Sequence, residues 1–195
     1  MPVGMEERMA VEVKGTAIIT IPLFIKQRFG ERGFKQWIDA LTPEARKVYQ
    51  DQVFSSSWYP LKELMTEPLR KMCSLFYAGD LKGARESGRF SAAYSLKGIY
   101  RILVKLGSPE SLLDRAGTIM GLYYKPSEIK VVERRKGQGI MQISKFPDMD
   151  RALEIRIVGW MERALEISGG KQPDIKVTKS LTAGDPLSEF VATWK

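Results

Sequence analysis

The stretch 148–168 constrains the fold more than any other part of the chain. At about 100° per residue, Leu153, Ile157, Val158, Trp160, Met161, Ala164, Leu165 and Ile167 gather on roughly half of a helical circumference. Arg151, Glu154, Glu162, Arg163 and Glu166 fill most of the rest, so one face is expected in the core and the other in solvent. Asp148 after Pro147 reads as the N-cap, and Gly169-Gly170 ends the helix because glycine takes positive φ without steric cost. Two strands follow within 175–194, joined at Ala183-Gly184-Asp185-Pro186, with Ser188, Phe190, Ala192 and Trp194 sharing one face of the last.

The preceding chain supplies what that helix packs on. Residues 10–20 carry enough Val and Ile for a strand. A short helix is expected from Ile21 to Phe29-Gly30, then a second over 31–41 with Phe34, Trp37, Ile38 and Leu41 on one face. Thr42-Pro43-Glu44 opens a third as N-cap, N1 and an acidic residue favourable to the dipole. Beyond Trp58-Tyr59-Pro60, a helix bearing Leu61, Leu64, Met65, Leu69, Met72, Cys73 and Phe76 is expected to kink or split at Pro68 and to stop at Gly79. Asp80 caps another helix to about Leu96, 99–106 forms a short apolar one, and Ser108-Pro109 starts a stripe through Leu112, Leu113, Ala116, Ile119, Met120 and Tyr123. From there period 2 takes over: 128–134, a turn at Gly137-Gln138-Gly139, then 140–146, a hairpin. Helices followed by antiparallel strands argue for an α+β fold. A single domain over 1–195 is expected, with a mainly helical subdomain (10–125) and a hairpin-helix-hairpin subdomain (126–195), its antiparallel sheet made of two hairpins with the long helix between them.

The chemistry available is narrow. Among 195 residues there is one cysteine, Cys73, and no histidine. That removes disulfides, Cys/His zinc sites and every histidine-based triad or general base. No apolar run is long enough to span a membrane and residues 1–20 lack the pattern of a signal peptide, so a cytoplasmic location is expected. The net charge of +8 comes from basic residues scattered between Lys14 and Lys195, the pattern of a solvated surface. Cys73 lies on an apolar helix face and reads as a core thiol. The carboxylates Glu128, Glu133, Asp148, Asp150 and Glu154 form no recognisable acid-base pair, Gly137-Gln138-Gly139 is turn chemistry, and Ser55-Ser56-Ser57 has no partner base. No catalytic residue is assigned.

The order of Lys14-Gly15-Thr16, Phe24-Ile25-Lys26-Gln27-Arg28-Phe29-Gly30, Trp58-Tyr59-Pro60, Gly88-Arg89-Phe90-Ser91, Gly107-Ser108-Pro109, Gly159-Trp160, Ser168-Gly169-Gly170 and Gly184-Asp185-Pro186 resembles an uncharacterised bacterial family of about this length. More distantly, the final portion resembles the 4-vinyl-reductase-type ligand-binding domains. That fold includes haem nitric-oxide sensors, aromatic-sensing regulators and subunits of Golgi transport particles. The resemblance implies a pocket-bearing fold, and it also implies what this chain lacks. In the aromatic-sensing relatives, cysteines and a glutamate hold zinc around the last helix and hairpin; an ungapped placement puts Glu154, Val177, Ser180 and Ser188 there. In the haem sensors a histidine holds the iron and a Tyr-x-Ser-x-Arg motif the propionates; here Phe146, Asp148 and Asp150 fall at that motif. Neither cofactor nor metal is therefore expected.

The expected function is a non-enzymatic sensory or ligand-binding domain holding a small apolar or aromatic ligand, or a protein-interaction scaffold on the same fold. Trp58, Tyr59, Tyr123, Phe146 and Trp160, with Tyr124, are the candidate pocket residues. Such a pocket should measure about 300 Å³ or more to take a drug-sized ligand. The alternative is a basic module for nucleic acid or anionic lipid through Lys130, Arg134, Arg135, Lys136 and Lys145; a vinyl-reductase-type enzyme ranks lower. A homodimer is expected on the strength of spare apolar residues, Leu61, Leu64, Leu112 and Leu113.

Overall fold

The computed structural model describes residues 10–97 and 108–195; the expected leader at 1–9 and the short helix at 99–106 lie outside the described residues. The strand expected over 10–20 is cut to Glu12–Lys14 (β1). At Gly15 the chain turns directly into helix α1, Gly15–Ile18, because the 54–57 loop presses on it: Gly15 N–H donates to Ser57 O at 2.9 Å and Thr16 N–H to Ser55 O at 3.1 Å. A Cβ at Gly15 would lie 2.0 Å from Phe54 O. The β-branched Ile18 and Thr20, which read as strand, instead enter buried helix positions, where packing overrides propensity. β1 pairs antiparallel with Trp58–Pro60 (β2) on one side and Tyr124–Lys125 (β3) on the other, a small sheet that period-2 counting had no means of finding in runs of two and three residues.

Helix α2, Thr20–Asp39, is interrupted where the sequence places a stop, Gly30, at φ 69° and ψ −174°. Pro43–Gln50 (α3) starts on the expected cap, with Ala45 N–H donating to Thr42 Oγ1. Pro68 then splits the next helix into a π-turn, Lys62–Thr66, and α4, Glu67–Tyr77. Proline has no N–H to give to the carbonyl four residues back, Leu64 O. Tyr49 OH donates there instead at 2.6 Å, while Trp37 Nε1 donates to Pro68 O at 2.9 Å. These two buried bonds tie α2 and α3 to the break. Lys82–Lys97 (α5) follows, its start held by Lys82 N–H to Asp80 Oδ1.

Pro109–Asp114 (α6) and Ala116–Tyr123 (α7) replace the single stripe expected after Ser108, the break falling at Arg115 with φ −103° and ψ 1°. Ile129–Arg135 (β4) and Gln138–Ile143 (β5) make the hairpin, then come α8, Arg151–Ile167, and the strands Asp174–Lys179 (β6) and Ser188–Thr193 (β7). The four strands form one antiparallel sheet in the order β4-β5-β7-β6, so the two hairpins meet through β5 and β7. The architecture is α+β. Met141 and Ile143 of β5 and Ser188, Phe190 and Ala192 of β7 are buried on its inner face, the alternation expected of a half-covered sheet.

Helix α8 departs from its expected amphipathicity. It is covered by the sheet on one side and by α5 on the other, and Glu154 (0 % exposed), Glu162 (1 %) and Arg156 (2 %) are buried with the apolar stripe. The N-cap also moves: Asp150, not Asp148, accepts from Ala152 N–H and Leu153 N–H, and Asp148 accepts from Val11 N–H at 3.5 Å. The two helices cross at reciprocal glycines, where a Cβ on Gly88 would lie 2.0 Å from Arg156 O and one on Gly159 2.0 Å from Arg85 O. The four leucines behind the dimer expectation, Leu61, Leu64, Leu112 and Leu113, are buried in the chain's own core, so none is spare. No helix among the described residues is long and apolar enough to cross a membrane.

Candidate ligand site

The sheet, α8 and the α6–α7 pair do not close completely on one another. Between them lies a cavity of about 70 Å³, lined by Ile119, Tyr123, Met141, Arg156 and Trp160 among others. Trp160 reaches it from the middle of α8 and Tyr123 from the end of α7, the rings 5.8 Å apart and steeply inclined at 68°. Tyr124 also lines the wall. Phe146 is one ring removed, buried against Tyr124 at 5.4 Å. Trp58 and Tyr59 are elsewhere, on β2: the Trp58 ring carries Lys14 Nζ at 4.5 Å and Lys125 Nζ at 4.4 Å, and Tyr59 OH accepts from Phe54 N–H. Local sequence spacing had no bearing on which aromatics would meet, because the cavity is made where α7 and α8 converge from residues far apart in the chain.

The cavity wall is apolar apart from a few groups, and the most consequential of them was not among the candidates. Arg156 sits four residues before Trp160, hence on the same helical face. Its guanidinium donates from Nη1 to Ser87 Oγ and from Nη2 to Ala17 O (3.1 Å) and Thr20 Oγ1 (2.9 Å). No carboxylate among the described residues forms an ion pair with it. Burial pulls its pKa below the usual arginine range, opposed by the neighbouring Tyr124, Tyr49 and Tyr123. The signal that would have found it is the arginine inside the apolar run Ile155-Arg156-Ile157-Val158. Trp160 Nε1 is buried and has no hydrogen-bond partner among the described residues, unlike Trp37 Nε1 on Pro68 O.

The two cofactors that the resemblance implies do not fit these residues. The positions placed at a zinc site do converge: the Glu154 carboxylate accepts from Ser180 Oγ at 2.9 Å, from Ser188 Oγ and from Arg151. One carboxylate and two hydroxyls, with Val177 bringing no donor, lack the thiolates or imidazoles that hold structural zinc. For haem, the cavity falls well below the roughly 300 Å³ at which even drug-sized ligand sites begin, and the chain has no histidine to offer the iron. Asp148 and Asp150, at the positions of the propionate motif, are engaged by Val11 N–H and by the start of α8 with Arg70.

No family model matches the sequence, and no curated protein matches it. Solved structures do. An Fe(II) unliganded H-NOX protein from K. algicida superposes with a TM-score of 0.70 at 14% identity, over 93% of this chain and 96% of that one. An H-NOX protein from S. oneidensis in the Fe(II)NO ligation state gives 0.72 at 13% identity, over 93% and 99%. The likeness thus spans nearly all of both molecules at low sequence identity, and the chain has the H-NOX fold, built around a site whose own residues do not fit a haem.

Proposed function

We propose that the chain is a non-enzymatic sensory domain that takes a small, largely apolar molecule directly into the cavity beside Trp160, without haem. The observation that carries this reading is the cavity itself. It lies against α8, partly open to the surface, and Trp160 in its wall has a buried indole N–H with no partner among the described residues, a group that a filled core ordinarily satisfies. The S. oneidensis neighbour, in its Fe(II)NO state, presents a small ligand within the same fold. The volume of about 70 Å³ limits the occupant to a few heavy atoms; an engineered apolar cavity of roughly 150 Å³ takes benzene.

Xenon tests the reading, since it enters dry apolar cavities irrespective of chemistry. Under xenon pressure the methyl resonances of Ile119, Met141 and Leu165 are expected to shift together, with those of Ile21 and Ile25 unmoved. Unchanged spectra would leave a protein-interaction scaffold on the same fold. The basic-surface alternative is weakened by the acids beside its residues: Lys130 and Lys145 both meet Glu128, Arg135 meets Glu133 and Arg134 meets Asp114.

A further inference from the structure

A buried arginine is ordinarily matched by a carboxylate, because taking an unpaired charge out of water costs several kcal/mol. This chain obeys the rule elsewhere on the same helix. Glu162 is met by Arg85 and Arg89, Glu166 by Arg89 and Arg163, and Glu154 by Arg151 with two serine hydroxyls. Arg156 is the exception: it is 2 % exposed, and its partners are the hydroxyls of Ser87, Thr20 and Tyr124 and the carbonyl of Ala17, with no carboxylate among the described residues. It lines the cavity, as does Trp160 one helical turn on, whose buried Nε1 has no hydrogen-bond partner among the described residues. The rest of that wall is supplied by residues such as Ile119, Met141, Ile157 and Leu165.

Arg156 and Trp160, on adjacent turns of α8, thus both line this apolar space, the first a cation with no carboxylate partner among the described residues and the second with an indole N–H that has no hydrogen-bond partner among them. We propose that the cavity is a binding site for a small aliphatic monocarboxylate, its carboxylate received by the Arg156 guanidinium and the Trp160 indole N–H and its short alkyl tail by the surrounding apolar side chains. The proposal rests on the ligand-binding reading above and names the ligand's class. A neutral molecule of the same shape satisfies the tail but leaves the cation unmatched. An inorganic anion matches the cation but leaves the apolar wall empty. The volume, about 70 Å³, sets the tail at a few carbons. Carboxylate binding by guanidinium is favoured by charge-assisted hydrogen bonds, which are about twice as strong as neutral ones.

The test compares butyrate with butyramide, equal in heavy atoms, with potassium chloride as the control for anions in general. The readout is the ¹H–¹⁵N spectrum of the four indole N–H groups of the full chain, the Trp160 peak being identified by its loss in Trp160→Phe. Butyrate is expected to move that peak downfield, in saturable fashion, at a Kd at least tenfold below that of butyramide, with chloride giving no saturable shift. Arg156→Met is expected to bring the two ligands within twofold of each other. If that variant does not fold, Trp160→Phe carries the comparison by thermal shift, and the butyrate preference should shrink by threefold or more. Equal binding of butyrate and butyramide to the unaltered chain overturns the carboxylate assignment and leaves the ligand reading standing. Binding of neither overturns both.

Discussion

Cys73 shows how far one side chain's surroundings settle its chemistry. It is 2 % exposed on the inner face of α4, and burial pushes its thiol up to about 11, with the nearby Asp80 and Asp150 adding to the shift. Thiolate is the reactive form, so at pH 8 only about one thiol in a thousand is ionised. The native protein is expected to react with a thiol reagent at least a hundredfold more slowly than the protein unfolded in guanidinium; a rate within tenfold of the unfolded one would contradict the burial. Glu154 poses the opposite problem, a carboxylate with no exposure that takes one donor from Arg151 on its own helix and two hydroxyl donors from residues twenty-six and thirty-four positions away. Ser180→Ala and Ser188→Ala should each lower stability by about 1–3 kcal/mol, because each leaves a buried acceptor short of a donor. Urea denaturation measures this, and values under about 0.5 kcal/mol for both would show that the carboxylate is satisfied without them.

Among the elements, the crossing of α5 and α8 matters most. Gly88 and Gly159 each stand where a Cβ would be 2.0 Å from the other helix's carbonyl oxygen, so the backbones touch. Around that contact Arg85, Arg89, Glu162 and Glu166 form a chain of ion pairs, and Arg156 reaches Ser87. Close approach is what places Arg156 and Trp160 at a fixed depth beside the cavity. Gly88→Ala and Gly159→Ala are each expected to cost about 1–3 kcal/mol or more by forcing the helices apart. For a chain of this size that corresponds to a fall in Tm of roughly 2–4 °C per kcal/mol. A scanning calorimeter reads it directly, and an unchanged Tm in either variant would mean that the helices separate at no cost.

For the molecule as a whole, the chain has the H-NOX fold, and the residues that the sequence resemblance placed at a zinc or propionate site are engaged within the protein. Purified protein is accordingly expected to show no Soret band and less than a tenth of a zinc equivalent per chain. A visible spectrum and elemental analysis decide this, and either a Soret band or one zinc per chain would overturn the placement of Glu154, Ser180 and Ser188. The basic charge is partly neutralised locally, as at Glu128 between Lys130 and Lys145, whose carboxyl is held below the usual carboxylate range by hydrogen bonds from both lysines.

Local chemistry alone determined a good deal of this. Gly30, Pro43, Pro68, Pro109 and Gly169 act on their own backbone, through φ or a missing N–H, and the chain starts, breaks or ends helices at each of them. Period 2 in the last seventy residues was equally local, and both hairpins followed from it. The motifs Gly88-Arg89 and Gly159-Trp160 were visible in the sequence, yet that they face each other was not. Tertiary structure decided which side of α8 is solvent: a helix's exposed face is defined by what else packs on it, and α5 covers Glu162 and the β6–β7 hairpin Glu154, while Arg151 and Arg163 stay partly exposed. It also chose Tyr123 and Trp160 for the cavity and left Trp58 and Tyr59 on another sheet. The place of Arg156 depended on it most, since its guanidinium is held by Ala17 and Thr20, in chain segments more than a hundred residues away.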